Sequence, residues 1–269
     1  MKIRQCFLLF FLILALFPNY IFAGWVIKEV TRDAYGEERS QTIYIQNNIM
    51  KTVDGEEISI YNLNSNKICF INPIQKVFWE GSIDEYLKGM NDYALAMVQD
   101  ELSKLTPEQQ ETYKAMHSHI FQDAEQIEEE TESFDSLKVE IKKLSDKEII
   151  AKHQTQRYQL WLNDSLMYDY WVSPRINLYK EFNFEKFYKL IEKMSGQLSE
   201  TRYESSPEFK AFLKKGYSLK TIDSENNITE TLSIVRKQLS KSVFNVPEDY
   251  SKLNFVEYNN ARMLNYNDD

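Results

Sequence analysis

The sequence predicts an α+β fold: a curved antiparallel sheet covered by helices, with a helical hairpin inserted between two groups of strands. Three observations predict it. Six short segments rich in Ile, Val, Tyr and Phe follow one another between residues 24 and 81. Their spacing leaves no room for helical crossovers, so neighbouring strands must run antiparallel. At Ser82 the hydrophobic period changes from that of a strand to that of a helix. Several strands also carry apolar residues on both faces, as in Ile68 and Cys69, Val77 and Phe78, and Leu160 and Trp161. An antiparallel sheet with one wet face alternates cleanly, so here something covers each face.

The chain opens "MKIRQCFLLFFLILALFPNYIFAGW". Lys2 and Arg4 precede an unbroken apolar run from Phe7 to Phe17, Pro18-Asn19 breaks it, and a small residue, Ala23, follows. That is the layout of a secretory signal peptide cleaved after Ala23. The run is shorter than the roughly 20 apolar residues of a spanning helix. Cys6 lies ahead of the run, where a lipidation site would follow it. Residues 24–269 are read as a single domain, and export leaves the chain without an integral membrane segment.

The strands of the first group are "GWVIKEVTRD", "QTIYIQN", "NIMKTVD", "EISIYNL", "KICFINP" and "KVFWEG". Asn47-Asn48, Asp54-Gly55, Asn64-Ser65-Asn66 and Pro73 separate them, and Asp-Gly between apolar runs is a strong hairpin signal. Ser82 and Glu85 then form a capping box, which satisfies free N–H groups at a helix start. Tyr86, Met90, Tyr93 and Met97 follow at helical spacing. Thr106-Pro107-Glu108-Gln109 starts a second helix, so residues 82–130 read as the inserted hairpin, fading into the solvated acidic run around Glu128 to Glu130.

Strands resume with "FDSLKVEIKKL". "EIIAKHQTQRYQLWLND" and "SLMYDYWVSP" form a hairpin around Asn163-Asp164. "NFEKFYKLIEKMSG" is a helix capped by Asn183 and ended by Gly196, and "SPEFKAFLKKG" repeats that grammar from Ser206 to Gly216. "GYSLKTIDSENNITETLSIVRKQL" is a last hairpin turning at Asn226-Asn227. "FNVPEDYSKLNF" reads as a short turn and docking tail, and the polar residues from Asn259 as a loose end.

Composition excludes several functions. The formal charge is −9, and near −11 once Lys2 and Arg4 are removed. No basic patch stands out, so nucleic acid is not a partner. Cleavage removes Cys6 and leaves Cys69 alone, so no intramolecular disulfide can form; an exported chain without paired cysteines points to a bacterial envelope. Asn163-Asp164-Ser165 and Asn227-Ile228-Thr229 match glycosylation acceptors, but in that setting they read as turn chemistry.

Catalytic and metal chemistry find little footing. His117 and His119 point to different faces of a helix, and His119 with Asp123 lacks a third ligand. His153 has no partner acid in its strand. There is no G-x-S-x-G elbow, phosphate loop, H-E-x-x-H or C-x-x-C. Cys69 sits in an apolar strand as an inert small hydrophobe. The chain is therefore read as a non-enzyme with no cofactor and no metal. What remains is aromatic and methionine surface, and methionines repack around varied apolar partners. Phe78, Trp79, Tyr86, Met90, Tyr93, Met97, Trp161 and Trp171 are the candidate walls of an apolar site between sheet and helices. Phe78 and Trp79 point to opposite faces of one strand, so at most one of them can line it.

The order of pieces resembles a known group. "GWVIKEVTRD" followed by "IYIQNNIMKTVDGEEISIYNLNSNKICFINPIQKVFWEG", the middle hairpin "IAKHQTQRYQLWLNDSLMYDYWVS", "GYSLKT" and the tail "SVFNVPEDYSKL" look like a bacterial exported domain-of-unknown-function family. In that tail the matching positions are Phe244, Val246, Pro247 and Tyr250. The family is similar to the outer-membrane lipoprotein carrier and sorting proteins, the LolA/LolB-like superfamily. The resemblance implies a half-open β-barrel in the periplasm with helices in its concave face, binding an acyl chain or lipidated segment there. A protein-interaction or envelope-stress-sensing module with no small ligand is the alternative. The inserted helices are long for such a domain, and the cationic entry of the carriers has no counterpart here.

Overall fold

A computed structural model describes residues 23–116, 137–195, 203–204 and 206–264. The apolar run 7–17, His117, His119, Asp123, the acidic run 128–130 and Gly196 lie outside them. The fold is α+β. Twelve strands form one curved, unclosed sheet in the order β12-β6-β5-β4-β3-β2-β1-β11-β10-β9-β8-β7. The first six are β1 (Ala23–Arg32), β2 (Glu38–Gln46), β3 (Ile49–Asp54), β4 (Glu57–Asn62), β5 (Lys67–Asn72) and β6 (Val77–Ser82). The others are β7 (Val139–Ile150), β8 (His153–Leu162), β9 (Ser165–Ser173), β10 (Tyr217–Asp223), β11 (Ile228–Gln238) and β12 (Ser251–Lys252). Five α-helices occur among the described residues: α1 (Ile83–Ser103), α2 (Pro107–Met116), α3 (Phe184–Ser195), α4 (Pro207–Leu213) and α5 (Phe255–Leu264).

The hairpins turn where the sequence puts its asparagines. Asn47 and Asn48 take φ of 51° and 59°, and Asn163 and Asp164 take 47° and 65°. Both pairs give the two left-handed residues of a tight turn whose twist matches the strands. The Ser82 capping box is complete, with Ser82 Oγ accepting from Glu85 N–H and Glu85 accepting from Ser82 N–H. Thr106 and Gln109 exchange the same bonds ahead of α2.

The two groups of strands are joined at the centre. β1 pairs antiparallel with β11 over ten positions, with a bulge at Lys28/Glu29. Glu29, next to that bulge, is buried and accepts hydrogen bonds from Gln41 Nε2, the Tyr217 hydroxyl and Thr231 Oγ1. Burial raises its pKa despite the three donors, which pull the other way. One carboxyl thus ties β1, β2, β10 and β11 together.

Three sequence expectations are corrected. Residues 148–164 are not one strand: Ala151 and Lys152 make a two-residue turn at φ 47° and 68°, and β7 runs up to it, with a register shift between Lys143 and Lys147. Neither residue favours positive φ, so the usual asparagine or glycine signal is missing. The C-terminal segment is more than a turn and a tail. β12 pairs parallel with β6, the one parallel pair among the described residues, and α5 follows it. The polar residues from Asn259 to Leu264 are therefore helical rather than loose. Phe255 and Tyr258 give α5 a buried face, which a short polar segment hardly announces.

Lys152→Gly should raise stability by about 0.5–1 kcal/mol, because glycine takes positive φ without the side-chain clash. A urea unfolding curve with a raised midpoint and unchanged slope checks it.

Candidate ligand-binding cleft

Trp79 and Phe78 part company, as strand geometry demands. Trp79 belongs to the main core, with Ile68 and Phe70 of β5. Phe78 lies on the other face, with Ile60, Cys69, Ile71, Val246 and Tyr250. Cys69 is buried there, and burial pushes its thiol up to about 12, so the thiolate is not available at neutral pH.

Trp79 leads to the site. Its indole lies over Gly81, where a Cβ would stand 2.5 Å from Trp79 Cζ2. The ring meets Phe255 of α5 edge-on at 5.0 Å between centroids. Phe255 in turn packs on the bare backbone of Gly89 in α1, where a Cβ would meet its Cγ at 2.5 Å. Tyr86 closes the group, edge-on to Phe255 at 5.4 Å. Helices α1 and α5 therefore cross in direct contact above β6.

Beside this joint the two helices part and leave a cleft of about 470 Å³. Its floor is Tyr61 of β4 and Phe70 of β5, and its sides are Tyr86, Met90 and Tyr93 of α1 and Phe255 and Tyr258 of α5. Met194 of α3 and Met263 of α5 complete it, so three methionines face one cleft. Across its rim Arg262 Nε donates to Glu57 Oε1 at 2.6 Å, which ties α5 to β4. Ser59 and Asn259 are the other polar lining residues. Burial raises the Tyr61 and Tyr86 hydroxyl pKa values, so both stay neutral.

Of the candidate residues, Tyr86, Met90 and Tyr93 line the cleft, and Trp79 supports it from beneath through Phe255 and Tyr86. Met97 is exposed one helical step beyond. Trp161 and Trp171 lie in the other half of the sheet. Trp161 carries the Lys142 ammonium 4.1 Å above its ring. Trp171 is sandwiched between Arg157 and Lys220 at 5.1 and 4.9 Å. His153 begins β8, opposite Ile150 at the Ala151-Lys152 turn. Sequence reasoning missed Tyr61, Phe70, Met194 and the whole α5 contribution of Phe255, Tyr258, Arg262 and Met263. Asn254 and Glu257, which exchange N-cap hydrogen bonds, were the available signal for α5.

Comparison with known proteins adds a family. A model for a domain of unknown function (DUF4412) matches residues 94–250, more than half of the chain. The match begins within α1 and ends before α5, so Tyr86, Met90, Phe255 and Tyr258 fall outside it. No curated protein matches. Among solved structures the chain is similar to PNGF-II, with a TM-score of 0.37 and 11% identity over 88% of this chain and 32% of that one. It is similar to MucB, with a TM-score of 0.37 and 6% identity over 85% of this chain and 58% of that one. A structure of the Pseudomonas aeruginosa MucA/MucB complex gives a TM-score of 0.36 at 6% identity, over 85% of this chain and 57% of that one. The chain thus spans about a third of PNGF-II and less than two thirds of MucB.

Gly89→Ala tests the joint. Alanine favours a helix by about 1 kcal/mol over glycine. Overpacking against a buried ring costs about 1–3 kcal/mol, so a net loss of about 1 kcal/mol is expected. In a Phe255→Ala background the same change should instead stabilise, and a double-mutant cycle by urea unfolding reads that reversal.

Proposed function

The chain belongs to the DUF4412 family of domains of unknown function, and from that premise we propose that it is a non-catalytic binding protein of the bacterial envelope. It holds an acyl chain or lipidated segment in the cleft between α1, α5 and the sheet. The observation that carries this reading is the cleft itself: about 470 Å³, floored by aromatic rings and faced by Met90, Met194 and Met263. That volume falls within the range of small-molecule sites. Methionine side chains are flexible and polarizable, and they adapt to a chain of variable shape.

The energetics agree. Burying about twelve methylenes contributes roughly 0.8 kcal/mol each, or about 10 kcal/mol. Association costs several kcal/mol, which leaves binding in the micromolar range. Arg262 at the rim offers a guanidinium to a carboxylate headgroup, in exchange for Glu57. The polar lining is Glu57, Ser59, Asn259 and Arg262, with no histidine or cysteine beside them. Export through residues 1–23 is part of the proposal. Among the described residues no helix is long and apolar enough to cross a membrane.

A fluorescent fatty acid should bind the mature chain with a micromolar Kd. Met90→Asp should weaken it about tenfold or more, since a bound acyl chain would strip water from the new carboxylate. Trp161→Ala should leave it unchanged. Native mass spectrometry of protein purified from its own envelope should show a lipid adduct. A bare protein that also ignores the probe would defeat the lipid reading in favour of a partner protein's apolar side chains.

A further inference from the structure

A second cavity, of about 160 Å³, lies on the far side of α3, among α3, α4, β9 and β10. Its wall is an unbroken arc of touching rings. Tyr179 contacts Phe184 at 5.0 Å between centroids, Phe184 contacts Tyr188 at 6.3 Å, and Tyr188 meets Phe209 edge-on at 6.1 Å. Phe209 then contacts Phe212 at 5.9 Å, and Phe212 contacts Tyr170 at 5.1 Å. Tyr203 stands edge-on against Phe209 at 5.1 Å.

One carboxyl enters this box. Glu204 lines the cavity and, among the described residues, makes no hydrogen bond or ion pair. No Lys, Arg or His is among the described lining residues. Burial, and then the charge of Glu192, push its carboxyl up to about 7. The Tyr179 hydroxyl is buried beside the same cavity and lacks a hydrogen-bond partner. A half-buried carboxyl beside a wall of aromatic rings, with no cation among the described lining residues, is a site short of positive charge.

We propose that this aromatic box binds a small organic cation of the quaternary or methylated ammonium class, paired with Glu204. Ring faces attract such a cation without hydrogen bonds, and Glu204 supplies the countercharge. If the ligand carries a hydroxyl arm, Tyr179 is the group that meets it. The site shares no lining residue with the α1/α5 cleft, so it stands independently of the lipid reading.

Isothermal titration of the mature chain with choline and with its neutral isostere 3,3-dimethyl-1-butanol tests this. Choline should bind about tenfold tighter than the isostere. Glu204→Gln should abolish that preference while leaving the unfolding midpoint unchanged. Met90→Asp should leave choline binding intact, which separates failure here from failure of the cleft. The proposal is overturned if choline does not bind, if the isostere binds as tightly, or if a folded Glu204→Gln chain keeps the preference.

Discussion

The Phe255 ring lying on the bare backbone of Gly89 is the contact on which the rest of the site depends. It sets how closely α5 approaches α1, and therefore how wide the cleft beside it opens. The chain delivers Phe255 there by backbone bonds first. Ser251 N–H donates to Lys76 O and Leu253 N–H to Phe78 O, which lays the tail along β6 just before α5 begins. Trp79, turned over Gly81, then meets the ring from the sheet side. A side chain at either glycine would move a ring, and the cleft is made of rings. The Arg262–Glu57 pair adds a second tether on the far side of the opening. It is solvent-exposed and contributes little stability, so its effect is on where α5 lies rather than whether it folds.

Much of this was legible along the chain. The meander up to Trp79, the helix start at Ser82, and the capped starts of α2, α3 and α4 each carry local chemistry that names the element. The opposite facing of Phe78 and Trp79 follows from strand geometry alone. The misses have local causes too. Ala151-Lys152 turns without asparagine or glycine, because pairing of Ile150 with His153 holds a conformation that neither residue prefers. α5 reads as polar because only Phe255 and Tyr258 are deeply buried, and its place comes from a parallel pairing with a strand far back in the sequence. No periodicity reports such a contact. Half the cleft was hidden with it.

The tryptophans show why composition alone does not locate a site. Trp79 is covered by other rings, whereas Trp25, Trp161 and Trp171 are each covered by cationic side chains. Arg157 is at once stacked on Trp171 and bonded to Asp169 at 2.8 Å, and Lys220 reaches from Trp171 to Glu148 at 3.6 Å. Long basic side chains thus lay their stems over indole and keep their charge in contact with carboxylates. In the sequence the four tryptophans look alike, all in strands beside other apolar residues. Directly across from Trp25 stands Arg236, and across from Trp171 stand Arg157 and Lys220, whereas Trp161 faces Glu140 and Leu166 and takes its cation, Lys142, from two residues along β7. Trp79 instead stands across from Phe70, and its covering comes from the helices through Tyr86 and Phe255.

Helix α3 divides the interior into two spaces of different kinds. Met194 faces the wide cleft and Tyr188, six residues earlier, faces the narrow box. Its start is fixed to the sheet, since Asn48 N–H donates to Glu181 O, Asn183 N–H donates to Asn48 Oδ1, and Lys186 reaches Leu63 O. Both spaces are thus framed from one anchored element, yet their walls differ in stiffness. Methionines have three rotatable bonds and conform to what they meet, whereas interlocked rings keep their shape. A space walled by methionines tolerates ligands of many lengths and is poor at telling them apart. A box of rings around one carboxyl rejects whatever lacks the right size and charge. The same helix therefore turns a methionine to one space and a tyrosine ring to the other.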